Sequence, residues 1–272
     1  MLVCTIGDLL LDVIVRLERP FVPGDDTTAT THAGAGGQAA NVAAWAVELG
    51  ASARLISKRG DDGASRLAAS ELTSQGVELV GPVEHGRGGV VVSVVGIDEE
   101  RSMLTDRGPA PALRAEEIDV GWLRGCDVLH LSGYALLDGQ IAEAGAKAAG
   151  AARAQGARIS VDLASAQGIR NFGAERFVAR LGHLHPDIVF ASERELDVLG
   201  SEPDAAVLVV KHGPDGVTVT VDGTREEHAA RPAEVVDPTG AGDALAAGFL
   251  IGGIELGLEA ASRCVSAPGA MP

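Results

Sequence analysis

Aromatic side chains are scarce: five Phe, two Trp and one Tyr among 272 residues. A chain so poor in rings has no platform on which a run of bases would stack. Positive charge is also in short supply, with 22 Lys and Arg against 38 Asp and Glu and a formal net charge of −16. A field of that sign repels phosphate backbones and anionic lipid, which argues against nucleic acid and membrane as partners. It leaves room for an anionic nucleotide, because local backbone donors override the global sign. Only three cysteines occur, Cys4, Cys126 and Cys264, and no C-x-x-C. That excludes a zinc ribbon and a disulfide framework, and suits a reducing compartment. The amino end has no basic n-region and meets Asp8 early, so no secretory signal is read there. The longest apolar runs, near Gly88–Ile97 and Ala244–Ile254, are too short to span a bilayer. A cytoplasmic protein is expected.

Two familiar motifs are missing as well. Lys58, Lys147 and Lys211 are followed by Arg, Ala and His, so no G-x-x-x-x-G-K-[ST] exists and a P-loop is excluded. No G-x-S-x-G is present, so nothing supports a serine hydrolase. His183 and His185 lie beside Pro186 with no further ligand spacing, which gives no metal site.

What is there is a rhythm. Hydrophobic residues make up 46%, enough for the core of one large domain. Leu2–Ile6, Ala53–Ser57, Cys126–Ser132, Arg158–Leu163, Asp187–Ala191 and Ala206–Lys211 read as short, continuously apolar strands. Helix-forming stretches fall between them: Gln38–Leu49, Ala64–Gln75, Gln140–Gln155, Asn171–Leu181 and Glu193–Leu199. Val217–Val221 adds a strand, and Ala244–Ile251 and Leu256–Val265 add helices. Such alternation predicts an α/β fold: a doubly wound, mostly parallel sheet with helices on both faces. Leu9–Leu17, Thr27–Ala33 and a hairpin of Gly89–Ile97 with Arg101–Arg107, turning at Asp98-Glu99-Glu100, break the rhythm. They predict a small second sheet, a lid or a dimer clasp. The expected division is a core of 1–11, 35–87 and 108–272 and a lid of 12–34 and 88–107.

The most informative stretch is Val235-Val236-Asp237-Pro238-Thr239-Gly240-Ala241-Gly242-Asp243-Ala244. It reads as strand, glycine-rich turn and helix start, an arrangement whose free N–H groups and dipole hold a phosphoryl group. Asp243 at that helix start is placed to accept the proton of an attacking hydroxyl. The plainer alternative is a helix-capping Asp after an ordinary turn. A second stretch, Gly34-Ala35-Gly36-Gly37-Gln38-Ala39-Ala40-Asn41, lets a ligand lie against backbone, and Asn41 offers a polyol both donor and acceptor. It also reads as G-x-G-x-x-A, a weak dinucleotide fingerprint that would make the chain an NAD-binding oxidoreductase. Asp12 stands inside the apolar strand Leu9–Val15, where a carboxylate needs a partner, a ligand or an edge facing water. Glu195 in Ser192-Glu193-Arg194-Glu195 follows a strand and is placed either to organise Mg²⁺ through water or to cap a helix.

Taken together these pieces resemble the PfkB/ribokinase-like family of carbohydrate and nucleoside kinases. Gly36-Gly37-x-x-x-Asn41-x-Ala43 is similar to its N-terminal signature and Asp237-Pro238-Thr239-Gly240-Ala241-Gly242-Asp243 to its C-terminal one. Gly7-Asp8-Leu9-Leu10-Leu11-Asp12, Gly60-Asp61-Asp62-Gly63, Leu131-Ser132-Gly133-Tyr134 and Val210-Lys211-His212-Gly213 match lesser motifs in family order. The resemblance implies a three-layer α/β/α ribokinase-like core with a small β lid, and transfer of the ATP γ-phosphoryl to a sugar or nucleoside hydroxymethyl group. It makes Asp243 the base and the N–H groups of Gly240, Ala241, Gly242 and Asp243 the anion hole. Asp12, Gly36, Gly37, Gln38 and Asn41 would hold the sugar, covered by Met103. Ser192, Lys211, Gly213 and Thr239 would lie near the nucleotide, and Glu195 would position Mg²⁺. Asp237 and Thr239 would sit by a monovalent-cation site, K⁺ in particular, and the lid would pair two copies. Two positions depart from the pattern. Gln38 replaces the Lys of ribokinase-type members, and Ser192 replaces the Asn of Asn-x-x-Glu. Ser192, together with the abbreviated stretch after Ile251, leaves a second class open, a non-catalytic sugar- or nucleotide-binding regulator on the same fold.

Overall fold

A computed structural model describes residues 1–98, 100–137 and 139–272. In chain order the strands are β1 (Leu2–Ile6), β2 (Leu10–Leu17), β3 (Ala29–Gly36), β4 (Ser52–Ile56), β5 (Glu78–Val80), β6 (Gly89–Val95), β7 (Arg101–Asp106), β8 (Val128–Ser132), β9 (Arg158–Asp162), β10 (Ile188–Ser192), β11 (Val207–Lys211), β12 (Val217–Val221) and β13 (Thr224–His228). The α-helices are α1 (Gln38–Glu48), α2 (Gly63–Ser74), α3 (Gly139–Arg153), α4 (Ala166–Phe172), α5 (Ala174–Leu184), α6 (Glu193–Leu199), α7 (Ala241–Gly252) and α8 (Ile254–Val265). Among the described residues no helix is long and apolar enough to cross a membrane.

A nine-stranded sheet runs β13-β12-β11-β10-β9-β8-β1-β4-β5. From β11 to β5 every neighbour is parallel, and β12 and β13 close the far edge antiparallel. The strands read as continuous apolar runs because both faces are covered. Along β10, Ile188 and Phe190 pack under α7 and α8, while Val189 and Ala191 pack against the layer of α3 and α5. The result is a three-layer α/β/α core. From β1 the chain proceeds to β4 on one side and, later, from β8 outward to β11 on the other. That reversal opens a crevice at the carboxyl ends of the strands, where open α/β sheets bind ligands.

The smaller sheet has the order β3-β2-β6-β7. Its inner pair, β2 with β6, is parallel; the outer pairs are antiparallel. Of the turn expected at Asp98-Glu99-Glu100, Glu99 lies outside the described residues.

Two expectations need correction, and one strand lies outside the expected set. The single helix Asn171–Leu181 is instead two, α4 and α5, divided at Gly173, which caps both. Val235-Val236 is not a strand. It is irregular chain, tied down by Val236 N–H to the Val265 carbonyl at 2.7 Å and by Asp237 N–H to the same oxygen at 3.2 Å. β13 escapes a reading by apolar pattern because its sequence, TREEH, is polar throughout and lies almost wholly exposed at the sheet edge.

Candidate active site

The parallel strands deliver polar residues to one edge. Asp8 follows β1, and Ser132, Asp162, Ser192 and Lys211 end β8 to β11. Register puts Ser132 beside Asp162 and Ser192 beside Lys211. Over this edge stand the starts of α1 and α7.

Helix α7 begins after Gly240, which adopts φ 78°. A Cβ at Gly240 would lie 2.6 Å from the Ala270 Cα, so glycine is required both by the backbone and by the neighbour. The first bond into the helix is Ala244 N–H to the Gly240 carbonyl at 2.9 Å. Before it, Ala241 N–H reaches the Pro238 carbonyl at 3.5 Å, and the N–H groups of Gly242 and Asp243 have no intrahelical acceptor. Asp243 does not cap this helix, whose N-cap receives no side-chain bond. Its carboxylate instead accepts from Asn41 Nδ2 at 2.7 Å, at the start of α1. Burial pushes the Asp243 carboxyl up to about 7, with Asp162 adding to the rise and Asn41, Lys211 and Gln38 opposing it. A carboxylate poised near neutrality is suited to proton abstraction.

Helix α1 starts where β3 ends, at Gly36-Gly37. Gly37 has φ 105° and its Cβ would lie 2.4 Å from the Asp8 carbonyl oxygen, so the turn admits only glycine. Because β3 belongs to the smaller sheet, the Gly34–Ala39 run does not follow the first strand of a βαβ unit. The dinucleotide reading fails on that context.

In front of Asp243 lies a cavity of about 280 Å³. Asp8, Asp12, Gly37, Gln38, Asn41, Met103, Arg107, Ser132, Tyr134 and Thr239 help to line it. The Ser132 hydroxyl donates to Gln38 Oε1. Asp12 sits on β2, an interior strand of the small sheet, so the water-facing edge reading does not apply. Its Oδ1 and the Oδ1 of Asn41 are buried with no hydrogen-bond partner. Two unanswered acceptors facing one cavity call for a ligand with hydroxyl groups. Burial raises the Asp12 carboxyl, Arg101 opposes that rise, and Asp237 reinforces it. Arg107 grips Asp8 through Nε at 2.6 Å and Nη2 at 2.9 Å, and its guanidinium carbon lies 5.7 Å from the Tyr134 ring centroid.

Behind the same turn is a second cavity, about 430 Å³, lined by Gly213, Val217, Pro238, Ala241, Leu245, Leu258 and other apolar residues. The turn Pro238–Asp243 is therefore a wall shared by two chambers, one polar and one apolar.

Lys211 stands at one end of that wall. A Cβ on Gly242 would lie 3.3 Å from its Nζ. Lys211 Nζ meets Asp162 Oδ2 at 2.5 Å. Burial alone would lower the Lys211 ammonium, but Asp162 and then Glu195 hold it above its ordinary value. Glu195 is raised, first by burial and then by Asp162. Ser192 and Glu195 form a capping box: Ser192 N–H donates to Glu195 Oε2 at 2.7 Å, and Glu195 N–H to Ser192 Oγ at 3.4 Å. Among the described residues no cluster of three or more His, Cys, Asp or Glu side chains is arranged to hold a metal. The buried carboxylates Glu195 and Asp162 nevertheless suit Mg²⁺, which keeps several waters and binds through one or two carboxylates plus substrate phosphates.

Asp237 is saturated. Its Oδ1 accepts from Thr239 N–H at 2.9 Å, Thr239 Oγ1 at 2.5 Å and Arg101 Nη1 at 3.2 Å, and its Oδ2 accepts from Gly269 N–H at 3.2 Å. Next to Gly269, the Ala270 carbonyl accepts from Trp45 Nε1 at 2.9 Å, which ties this segment to α1.

With that geometry described, comparison with known proteins is decisive. The profile described as "pfkB family carbohydrate kinase" matches residues 1–271. The chain belongs to the PfkB family of carbohydrate kinases. This kinase is 34% identical to an "ATP-dependent ribose-1-phosphate kinase" of Halopiger xanaduensis, over 96% of this chain and 90% of the relative. It is 28% identical to a "Fructokinase" of Escherichia coli, over 96% and 87%. The crystal structure of an adenosine kinase from Sinorhizobium meliloti superposes with a TM-score of 0.87 at 26% identity, covering 99% of this chain and 95% of that one.

In this PfkB kinase, Asp12, Gly37, Gln38, Asn41, Met103, Thr239 and Asp243 meet at the polar chamber. Gly36 adjoins it, with its would-be Cβ 2.8 Å from the Asp12 Cβ. Gly213 and Ala241 reach the apolar chamber instead. Asp8, Arg101, Arg107, Asp162 and Ala270 were not singled out by sequence. Asp162 carried a usable signal, a lone carboxylate ending an apolar strand of the parallel set. Arg107 and Ala270 carried none.

Proposed function

We propose that this kinase transfers the γ-phosphoryl of ATP to a hydroxymethyl group of a furanose sugar, and that ribose 1-phosphate is the first acceptor to test. The observation that carries the reading is the shared wall. A glycine-rich helix start with a half-buried carboxylate separates a polar chamber from an apolar one, which is the arrangement phosphoryl transfer between two bound molecules requires. Asp243 takes the proton of the acceptor hydroxyl. The N–H groups of Gly240, Ala241, Gly242 and Asp243, with Lys211 beside Gly242, face the charge that develops on the moving phosphoryl group. Asp12 and Asn41 accept hydrogen bonds from sugar hydroxyls. The apolar chamber takes the adenine, with Gly213 and Ala241 in its lining, and Ser192 holds the start of α6 near the nucleotide. Mg²⁺, arriving with the nucleotide, supplies neutralising charge at the phosphates, and Glu195 and Asp162 would hold its waters.

Ribose 1-phosphate is favoured by the named activity of the relative at 34% identity. A nucleoside is the second reading, supported by the adenosine kinase likeness. A single ring, Tyr134, in the polar chamber gives a nucleobase little to stack on.

The small sheet, built of Leu10–Leu17, Ala29–Gly36, Gly89–Val95 and Arg101–Asp106, acts as the lid. Its outward side chains Leu11, Val13, Val15, Val90, Val92 and Val94 are only half-buried, and Leu104 is 65% exposed. An apolar sheet face of that extent fits a second copy, which makes the kinase a homodimer through the lid. A cytoplasmic site of action accords with its three free cysteines.

Coupled ADP release with Mg-ATP across ribose 1-phosphate, free sugars, sugar acids and nucleosides tests the proposal. Turnover on one group, absent from Asp243→Asn, supports it. Tight ligand binding without any phosphorylated product would point to a regulator on the kinase fold.

A further inference from the structure

Arg101 opens β7, in the small sheet, yet its guanidinium reaches the turn of the C-terminal signature. Nη1 lies 3.2 Å from Asp237 Oδ1, and Nη2 donates to the wholly buried Ser93 Oγ at 2.6 Å. The Arg101 side chain is 19% exposed and that of Asp237 is 7% exposed. Asp12 stands close enough to feel both, drawn to the guanidinium and repelled by Asp237. One permanent positive charge therefore serves two carboxylates that flank the polar chamber.

This arrangement does not fit the monovalent cation that the family resemblance led us to expect at Asp237 and Thr239. The Asp237 Oδ1 already accepts from Thr239 N–H, Thr239 Oγ1 and Arg101, and Oδ2 is held by Gly269 N–H. A guanidinium cannot be deprotonated in a protein, so a K⁺ at this carboxylate would face a fixed like charge within a few ångströms. At Oδ1, which already accepts three hydrogen bonds, it would also have to displace a donor from a partly buried pair.

We infer that Arg101 supplies, from the lid, the positive charge that balances Asp237 and sets the Pro238–Asp243 turn, so that the kinase works without a monovalent cation. The inference rests on the kinase reading for its rate arm but not for its stability arm. Arg101 touches no reacting atom; it is a positioning residue. The charge balance of the turn then depends on the small sheet being seated, because the cation travels with β7.

The test compares K⁺, Na⁺ and tetramethylammonium chlorides at one ionic strength, reading the rate of ADP release and the melting temperature. In the wild type both readings are expected to be the same in all three salts. Arg101→Ala is expected to lose about 10²-fold in kcat in tetramethylammonium, the scale of a misplaced catalytic group. K⁺ should restore most of that loss and raise the variant's melting temperature by binding the vacated site. Arg101→Lys, which keeps the charge, should show no response to K⁺. A wild type whose rate or melting temperature rises with K⁺ overturns the inference, as does an Arg101→Ala variant that folds and is indifferent to K⁺. Should Arg101→Ala not fold, the wild-type and Arg101→Lys salt comparisons decide alone. Absence of turnover on every acceptor would sink the kinase reading and leave the melting arm to judge Arg101.

Discussion

Asn41 Nδ2 donates to Asp243 Oδ2 at 2.7 Å, joining residues 202 apart in the chain. The bond binds the start of α1 to the start of α7 and orients the half-buried carboxylate toward the polar chamber. It also steadies the ionised form of a group that burial would otherwise keep protonated.

Asp243→Asn is expected to keep that bond, since the amide oxygen still accepts from Asn41, while losing the base. Turnover should fall by about 10²–10⁴-fold, the usual worth of general-base catalysis. Binding of the nucleotide, measured by calorimetry, should be little changed. A variant with normal kcat removes Asp243 from the mechanism.

The pH dependence follows from the same carboxyl. In the free enzyme it ionises near pH 7, so kcat/KM should climb about tenfold per pH unit below that point and level above it. Stability should move the opposite way. Unfolded, the group loses its proton near its model value of 3.8; folded, it keeps the proton until about 7. Between those values the native state binds more protons, so its stability falls as pH rises, by at most about 4 kcal/mol, and is flat above pH 7. Urea midpoints of wild type and Asp243→Asn across pH 4–8 isolate this contribution. A wild-type difference that does not change with pH contradicts it.

Lys211→Met removes a cation that opposes the rise of the Asp243 carboxyl. The acid limb of the rate profile should therefore shift to higher pH, and KM for ATP should rise. Asp162 is left as a buried charge without its partner, a cost of about 3–5 kcal/mol. Adding Asp162→Leu should recover much of the stability but not the KM, a split that urea unfolding and initial rates read separately.

Gly37→Ala should destabilise the fold by about 1–3 kcal/mol through backbone strain at φ 105°, and by more through the overlap with the Asp8 carbonyl. A melting temperature equal to wild type would show that the turn relaxes.

Leu104→Glu, on the outer face of the small sheet, should give a monomer by light scattering without loss of fold by circular dichroism. An unchanged mass would move the dimer contact elsewhere or abolish it.

Much of the architecture was legible because the physics is local. Strands buried on both faces must be apolar, and helices between them end at glycines such as Gly50, Gly76 and Gly156, so the order of elements could be read along the chain. The hidden parts are those where a residue's meaning depends on distant partners. Nothing local says that Arg101, in a surface-looking hairpin, is drawn into Asp237, 136 residues away. The chain around Val235 looks like a strand by composition, yet it is tied down by bonds from Val236 and Asp237 to the single Val265 carbonyl. Glu195 was ambiguous between cap and metal carboxylate. It caps Ser192 with one oxygen, and burial first, then the nearby Asp162, raises its carboxyl.

A wall one turn thick has a further consequence for inhibition. On the proposed assignment of the two chambers, a single molecule with a pentose at one end, adenosine at the other and a phosphate spacer between them would occupy both at once. Its second half binds at a millimolar-scale effective concentration set by the spacer, and overall affinity gains about 10²–10⁴ over either half. The optimum spacer length measures, in solution, how far apart the Pro238–Asp243 turn holds the two pockets.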